Sequence, residues 1–317
     1  MELSTDKEKL YSADEIRRRL GISTCGLKKG GEPGNGADFE LLAELVEHGF
    51  RKVEVGADYG PDHFDYHNLD SIAELRRRYD DCGAAIYSVH APYGYLPVVA
   101  GDPESKWNLY ETDPDKRELV LADFRQLVEA MAVAGAELTV IHFWTWGREH
   151  HAYHVDTINR MVELARPHGI RISIETGGNM HHLSGFVDWF DFPDVGITCD
   201  TGHTGNYYAG LNLLQDEHNV HRVMRTAAGK LNHLHLSDCT SGELLPRSHP
   251  TRSLPPTRHH QSPGRGSHNW AAIFHKLKQM DYSGCFMFEV LSTDAERQER
   301  LSTFVERLMA AELGTVN

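Results

Sequence analysis

Short apolar runs alternate with longer amphipathic runs along most of this 317-residue chain. The apolar runs are continuous rather than alternating, which is typical of strands that are buried on both faces. The predicted strands are Gly21–Leu27, Lys52–Gly56, Ala85–His90, Leu138–Phe143, Arg171–Glu175, Gly196–Asp200, His233–Leu236 and Cys285–Val290. This alternation predicts a parallel sheet whose strands are joined by helical crossovers.

The segments between these strands carry helix signals. The predicted helices are Asp38–His48, Lys116–Ala134, Thr157–Pro167, Trp270–Met280 and Ala295–Ala311. Gly135 supplies a C-terminal stop for the second of them. The patterns Ser12-x-x-Glu15 and Ser71-x-x-Glu74 predict capping boxes, and the first of these starts a short helix ahead of the first strand.

Eight strands that alternate with helices predict an α/β fold of the (β/α)8 TIM barrel type, in a single domain. Residues 1–20 are interpreted as an N-terminal extension with a short helix, and residues 21–317 as the barrel. Residues 241–266 follow the seventh strand and are rich in Pro, Arg, His and Ser. So long a connection is usually a functional lid or a disordered segment, and this one is expected at the active face.

Ionisable residues stand at or near the carboxyl ends of the predicted strands. They are His90, His142, Glu175, Asp200, His203, His235 and Glu289. A closed barrel brings those strand ends to one face. A carboxylate or imidazole buried in an apolar strand needs a partner or a metal, and facing carboxylates repel one another unless a cation lies between them. The pattern therefore predicts a divalent metal site, and this ligand mixture suits Mn, Mg, Co, Zn or Fe without choosing among them.

The stretches SVHAPY, SIETGG, VGITCDTGHT, HLHLSD and PGRG resemble the xylose isomerase-like TIM barrel superfamily, over nearly the whole barrel. That superfamily includes sugar phosphate isomerases and epimerases and the endonuclease IV family. The resemblance implies one metal ion held by Glu175, Asp200, His235 and Glu289. It also implies that Glu175 and Glu289 are the catalytic acid and base, one on each face of the substrate. Such a pair is needed because epimerisation removes a proton next to a carbonyl and returns one.

A second set of residues comprises His90, His142, His203 and His260. In the endonuclease IV family, histidines at matching positions hold additional zinc ions, whereas in single-metal relatives such histidines often bind substrate. Arg258 replaces an aspartate of the endonuclease IV motif, which argues against a complete trinuclear site. Trp144 follows the fourth strand and is expected either to stack on a sugar or to pack under a loop.

Two departures separate the chain from ketohexose 3-epimerases in the narrow sense. Ser241 stands where those enzymes usually carry an arginine, and His181 stands where they tend to carry a glutamate. The leading hypothesis is a metal-dependent isomerase or epimerase of a sugar or polyol. The alternatives are a dehydratase or lyase of a cyclic polyol or keto acid, an endonuclease IV-like zinc phosphodiesterase, and a non-catalytic binding barrel.

The composition limits the classes of partner and substrate that we expect the protein to bind. A net charge of −14 disfavours nucleic acid, and a small-molecule sugar or polyol is the expected substrate. The chain has no long apolar run and its N-terminus has no apolar core, so neither a membrane span nor a secretory signal is expected. The five cysteines contain no CxxC pair, which indicates reduced thiols and a cytoplasmic location. No nucleotide cofactor is predicted, because no GxGxxG or Walker loop lies between a strand and a helix. The sequence does not determine the oligomeric state, and a homo-oligomer is among the states that it allows.

Overall fold

The strands close into a barrel. The computed structural model describes residues 11–27, 36–93, 107–143, 151–175, 180–204, 213–239, 260–290 and 303. Its strands, all paired in parallel in the closed order β1 to β8, are Leu20–Ser23 (β1), Lys52–Gly56 (β2), Ala85–His90 (β3), Leu138–His142 (β4), Arg171–Glu175 (β5), Val195–Asp200 (β6), Leu231–Leu236 (β7) and Phe286–Phe288 (β8). The predicted TIM barrel is confirmed.

Helices follow the strands around the barrel. They are Ala13–Arg17 (α1), Phe39–Glu47 (α2), Pro61–Phe64 (α3), Leu69–Asp81 (α4), Pro114–Ala134 (α5), His151–Ala165 (α6), Met180–Val187 (α7), Thr201–Thr204 (α8), Glu217–Arg225 (α9) and Trp270–Gln279 (α10). The capping box that opens α1 is confirmed, because Ser12 and Glu15 exchange both hydrogen bonds. Helix α5 ends at Gly135, whose φ of 80° is left-handed, as predicted. None of the helices in the described ranges is long and apolar enough to cross a membrane.

Several predicted boundaries are wrong, including those at the second capping box, at the start of α6 and at the end of β1. The capping box at Ser71 does not form, because Asn68 caps α4 and its side chain accepts from the amide of Ser71 itself. Helix α6 begins at His151 rather than Thr157, and Pro167 lies in a 3-10 turn after it. Strand β1 ends at Ser23, whose hydroxyl accepts from the amide of Cys25 and starts another 3-10 turn.

Two further predictions fall partly or wholly outside the described residues. The segment 240–259, most of the predicted lid, is one of them. The predicted helix 295–311 is the other, apart from residue 303.

The strand register aligns the polar residues at one rim of the barrel. Glu175 pairs with His142 across β4 and β5, and Asp200 pairs with His235 across β6 and β7. The amide of Glu289, directly after β8, donates to the carbonyl of Leu236 at 3.0 Å. Since parallel strands share their direction, these side chains lie at the carboxyl ends, where TIM barrel enzymes place their active sites.

Candidate metal centre

The carboxylates and the imidazole that the sequence predicts as ligands form one cluster. Nδ1 of His235 lies 3.0 Å from Oε2 of Glu175 and 3.1 Å from Oε2 of Glu289. Glu175, Asp200 and His235 each offer a donor atom, and these atoms lie within 4.8 Å of one another. All four side chains are buried, with Glu289 the most exposed at 8%. The structure thus brings the predicted set together, while its role in binding a metal stays a prediction.

Asp200 is oriented by the short helix that follows it. Its Oδ1 accepts from the amides of Gly202 at 2.6 Å and His203 at 3.1 Å. This leaves Oδ2 beside Nε2 of His203 at 3.3 Å and Nε2 of His260 at 3.7 Å. Gly202 is needed for this turn, because a Cβ there would lie 2.4 Å from Oγ of Ser237. The glycine of the TCDTGH stretch therefore permits the turn that orients the Asp200 carboxylate.

His90 and His142 flank the cluster on one side. Their Nε2 atoms are 3.0 Å apart and lie 3.9 and 3.7 Å, respectively, from Oε2 of Glu175. The ring of Tyr93 lies 4.7 Å from the ring of His142, centroid to centroid. Two imidazole nitrogens at this distance share either a proton or a cation. Trp144, predicted to be near this place, lies outside the described residues.

His203 and His260 flank the cluster on the other side. Their Nε2 atoms are 3.1 Å apart, and together with Asp200 they form a further group that could hold an ion. His260 is buried at 4% exposure, and its Nε2 lies 3.7 Å from Oδ2 of Asp200. Arg258, which motivated the argument against a trinuclear site, lies outside the described residues.

Asp238 holds the chain that carries His260, and the sequence reasoning missed it. The backbones of Asp238 and Gln261 exchange hydrogen bonds at 2.8 and 3.0 Å. The Asp238 carboxylate accepts from the amide of Gly264 and the indole of Trp270, at 2.8 and 3.1 Å. Because His260 directly precedes Gln261, these hydrogen bonds of Asp238 fix the position of His260. In the sequence Asp238 is visible only as the last residue of the HLHLSD stretch, which does not specify its distant partners.

Glu54 and Asp58 lie behind the histidines and were also missed. Oε1 of Glu54 lies 2.8 Å from Nε2 of His235, and Oδ1 of Asp58 lies 3.5 Å from Nδ1 of His90. Glu54 stands inside the apolar strand β2 with no exposed surface. The cost of burying an unpaired charge, which pointed to the strand-end residues, applies equally to Glu54.

The pKa values of the two glutamates are shifted in opposite directions. Burial raises the pKa of Glu175 to about 7, although the charge of His235 works against this. Burial would also raise the pKa of Glu289, but the charge of His235 and its hydrogen bond hold it far below the usual range. Burial opposes charge on Asp200 as well, yet His203 and His260 keep its pKa low. Burial would lower the pKa of His235, but the surrounding carboxylates raise it well above its ordinary value.

The donor chemistry fits a divalent cation. Oε2 of Glu175 has three imidazole nitrogens within 4 Å, and it accepts no well-formed hydrogen bond from any described residue. Three buried carboxylates face one another across imidazoles, which is costly unless positive charge lies between them. Carboxylate oxygens mixed with imidazole nitrogens are the donors that Mn, Co, Zn and Fe accept in proteins. The residues present therefore fit a metal ion, and they do not select one.

A TIM barrel with metal-type ligands at the carboxyl ends of its strands is the class that this fold and cluster define. The chain belongs to the xylose isomerase-like TIM barrel family, whose model matches residues 42–308. The resemblance expected from the sequence motifs is confirmed.

The solved structures similar to this chain include several epimerases. A D-tagatose 3-epimerase-like protein shows 19% identity and a TM-score of 0.65, covering 94% of this chain and 100% of that one. The 3-keto-D-glucoside 4-epimerase of E. coli shows 15% identity and a TM-score of 0.63, covering 92% and 99%. An uncharacterized protein of Methanocaldococcus jannaschii is 23% identical over 263 residues, 78% of this chain and 77% of that protein. Similarity at this level establishes the fold.

Proposed function

We propose that this protein is a divalent-metal-dependent isomerase or epimerase that transfers a proton next to the carbonyl of a sugar or polyol. The observation that carries the proposal is the pair of buried glutamates on His235. Glu175 and Glu289 contact the same imidazole nitrogen at 3.0 and 3.1 Å, and their pKa values are shifted in opposite directions. Two carboxyls with different proton affinities at one site are what a reaction that removes and returns a proton requires.

Glu175, Asp200, His235 and Glu289 would hold the ion, which is Mn, Mg, Co or Zn. When bound, it would supply positive charge beside the oxygen on which negative charge develops. The cluster is buried, so water is largely excluded, and electrostatic interactions there are stronger than at the surface.

The two glutamates divide the proton transfer between them. Glu289, with its lowered pKa, is the carboxylate that accepts the proton. Glu175, whose pKa is about 7 in the metal-free protein, has the higher proton affinity of the two and is the carboxyl that returns the proton. A bound cation lowers the pKa of both carboxyls, and the order between them is expected to persist.

A second candidate, an endonuclease IV-like zinc phosphodiesterase, is favoured by one observation. Two more groups of metal-type residues adjoin the first: His90, His142 and Glu175, and Asp200, His203 and His260. Adjacent groups of this kind suit a multi-metal hydrolase. A net charge of −14 disfavours a DNA substrate. In the leading proposal, these histidines bind the hydroxyl groups of the substrate instead.

The test is metal-dependent exchange of a carbon-bound proton. The metal-free protein is reloaded separately with Mn²⁺, Mg²⁺, Co²⁺ or Zn²⁺ and incubated in D₂O with a panel of ketoses, aldoses and oxidised polyols. Deuterium next to the carbonyl is followed by NMR, and duplex DNA with an abasic site is tested in parallel. We expect exchange that a chelator abolishes and that Asp123→Asn, a buried carboxylate variant outside the cluster, retains. Cleavage of the DNA without exchange of any sugar would reverse the order of the two candidates.

A further inference from the structure

Glu54 lies on the far side of His235 from the predicted metal ligands. It is on β2, a strand that supplies no predicted ligand, and it is completely buried. Its Oε1 lies 2.8 Å from Nε2 of His235, while Nδ1 of the same ring faces Glu175 and Glu289. The imidazole is thus held between an outer carboxylate and the centre itself.

The contacts of Glu54 indicate where the protons lie. Oε2 accepts from Oγ of Ser88 at 2.8 Å and lies 2.9 Å from Nε2 of His233. An ionised carboxylate only accepts hydrogen bonds, so Nε2 of His233, which bonds to Oε2 of Glu54, donates a proton to it. When an ion at the centre takes the place of the proton on Nδ1 of His235, the remaining ring proton is on Nε2, toward Glu54, and the lone pair of Nδ1 is aimed at the ion.

Two other histidines show the same arrangement with different outer partners. Nδ1 of His260 lies 3.2 Å from the carbonyl oxygen of Glu289, and Nδ1 of His90 lies 3.2 Å from that of Ala91. A carbonyl oxygen also only accepts, so in both rings Nε2 is the nitrogen left to face the cluster. His235 differs because its outer partner is a side chain, which a substitution can change.

We infer that Glu54 is a positioning residue that fixes the tautomer and ring orientation of His235, so that Nδ1 is presented to the metal. The inference rests on the proposed metal centre. An outer carboxylate also increases the basicity of the imidazole that it contacts, and loss of such a partner typically weakens metal binding about 10–100-fold.

Glu54, His233 and His235 could alternatively hold an ion among themselves, since their donor atoms lie within 4.8 Å of one another. Oε2 of Glu54 is already used by Nε2 of His233 at 2.9 Å and by the Ser88 hydroxyl at 2.8 Å, which fits a protonated His233 nitrogen better than an ion. Oε1 lies 2.8 Å from Nε2 of His235, but the two atoms do not form a well-aligned hydrogen bond. The number of metal equivalents bound separates the two arrangements.

The first experiment measures the affinity of the metal-free protein for Mn²⁺ by titration calorimetry, in the wild type, in Glu54→Gln and in the control Asp123→Asn. Glutamine keeps the shape of Glu54 but directs N–H groups at donors that need an acceptor. Asp123 is likewise a buried carboxylate with several donors, on α5. We expect Mn²⁺ to bind about 10–100-fold more weakly to Glu54→Gln and with unchanged affinity to Asp123→Asn. Neither variant should bind fewer metal equivalents than the wild type.

The second experiment needs no variant and stays informative if Glu54→Gln does not fold. The ¹⁵N shifts of the histidine rings in the Zn²⁺-loaded wild type should show His235 bound through Nδ1, with its proton on Nε2. A proton on Nδ1, or equal Mn²⁺ affinity in a folded Glu54→Gln, overturns the inference and leaves the proposed metal centre standing. Loss of one whole equivalent in Glu54→Gln would also overturn it, in favour of an ion at Glu54. Absence of binding in the wild type would remove the proposed centre and the inference together.

Discussion

Two buried carboxylates of this barrel, those of Asp123 and Glu175, have different surroundings. Asp123, in the middle of α5, accepts from the hydroxyl of Tyr66 and the indole of Trp107, both at 2.8 Å, and lies 2.7 Å from Nε2 of His67. Burial and the nearby Asp123 raise the pKa of Tyr66, so its hydroxyl remains a donor. Glu175, at the end of β5, instead faces three imidazoles and lies in one cluster with Asp200 and Glu289.

The difference distinguishes a carboxylate with a structural role, Asp123, from one for which we propose a functional role, Glu175. The charge of Asp123 is stabilised by neutral donors and by a histidine whose side chain is 47% exposed. Glu175 has no comparable donors among the described residues, and its environment raises its pKa to about 7. The negative charge of a buried carboxylate is compensated when enough hydrogen-bond donors surround it. A buried group of carboxylates and imidazoles without such donors requires a cation for the same compensation.

The largest expected effect is on turnover. Glu175→Gln and Glu289→Gln keep an oxygen near the metal but cannot exchange a proton as an acid or base. We expect proton exchange into the substrate to fall about 10²–10⁴-fold, while metal binding weakens less. The measurement pairs deuterium incorporation with bound metal in the same samples. Normal exchange in metal-loaded Gln variants would contradict the two-glutamate mechanism.

A smaller effect is expected on metal retention in Asp200→Asn and His235→Ala. Each removes a predicted ligand, so the loss of affinity should be at least the roughly 10–100-fold typical of an outer partner. Calorimetric titration of Mn²⁺ measures it, with Asp123→Asn as the matched control. If the control lost as much affinity as the ligand variants, the contrast between the two carboxylates would be meaningless.

Metal binding should also release protons, and its affinity should rise with pH. In the metal-free protein, the pKa of Glu175 is raised to about 7, and the pKa of His235 is raised well above its usual value. These groups hold protons below their pKa, and an ion must displace them, so affinity falls as the pH drops through 7. The slope is roughly tenfold per pH unit for each proton released. Titrations in two buffers of different ionisation enthalpy count these protons, and a count of zero between pH 6 and 7 would contradict the account.

The smallest effect concerns stability alone. Asp123→Ala leaves the buried donors of Tyr66 and Trp107 without their acceptor, at a cost of about 1–3 kcal/mol in the free energy of unfolding. Metal affinity should not change. Chemical denaturation of the metal-free protein, together with one Mn²⁺ titration, tests both statements. A parallel loss of metal affinity would mean that α5 is coupled to the centre.

Most of the fold, and the meeting of the polar strand-end residues at one rim, could be predicted because both depend on one regular feature. Continuous apolar runs mark strands buried on both faces, and closing the barrel brings their carboxyl ends together, as Glu175 and Asp200 illustrate. Glu54 could not be placed in the same way. It lies in the middle of a continuous apolar run, where the pattern does not say which side chains face the barrel interior.

The remaining errors had two causes, local competition between capping residues and a contact with a distant segment. Asn68 and Ser71 are both residues that cap helices, and only the formed helix shows that the amide of Ser71 is the group being capped. The role of Asp238 depends on the return of the chain after residues 240–259, a long-range contact that no local pattern contains.

The most direct test of the central claim is the metal stoichiometry of the purified wild-type chain. The protein is stripped with a chelator, dialysed against buffered Mn²⁺, Co²⁺ or Zn²⁺, and measured for bound metal and for its unfolding temperature. The account predicts at least one saturable ion per chain that also raises the unfolding temperature, since a ligand of the native state alone stabilises it. Failure of all three ions to bind above the level of a nonspecific protein would contradict the claim that the Glu175, Asp200, His235 and Glu289 cluster is a metal centre.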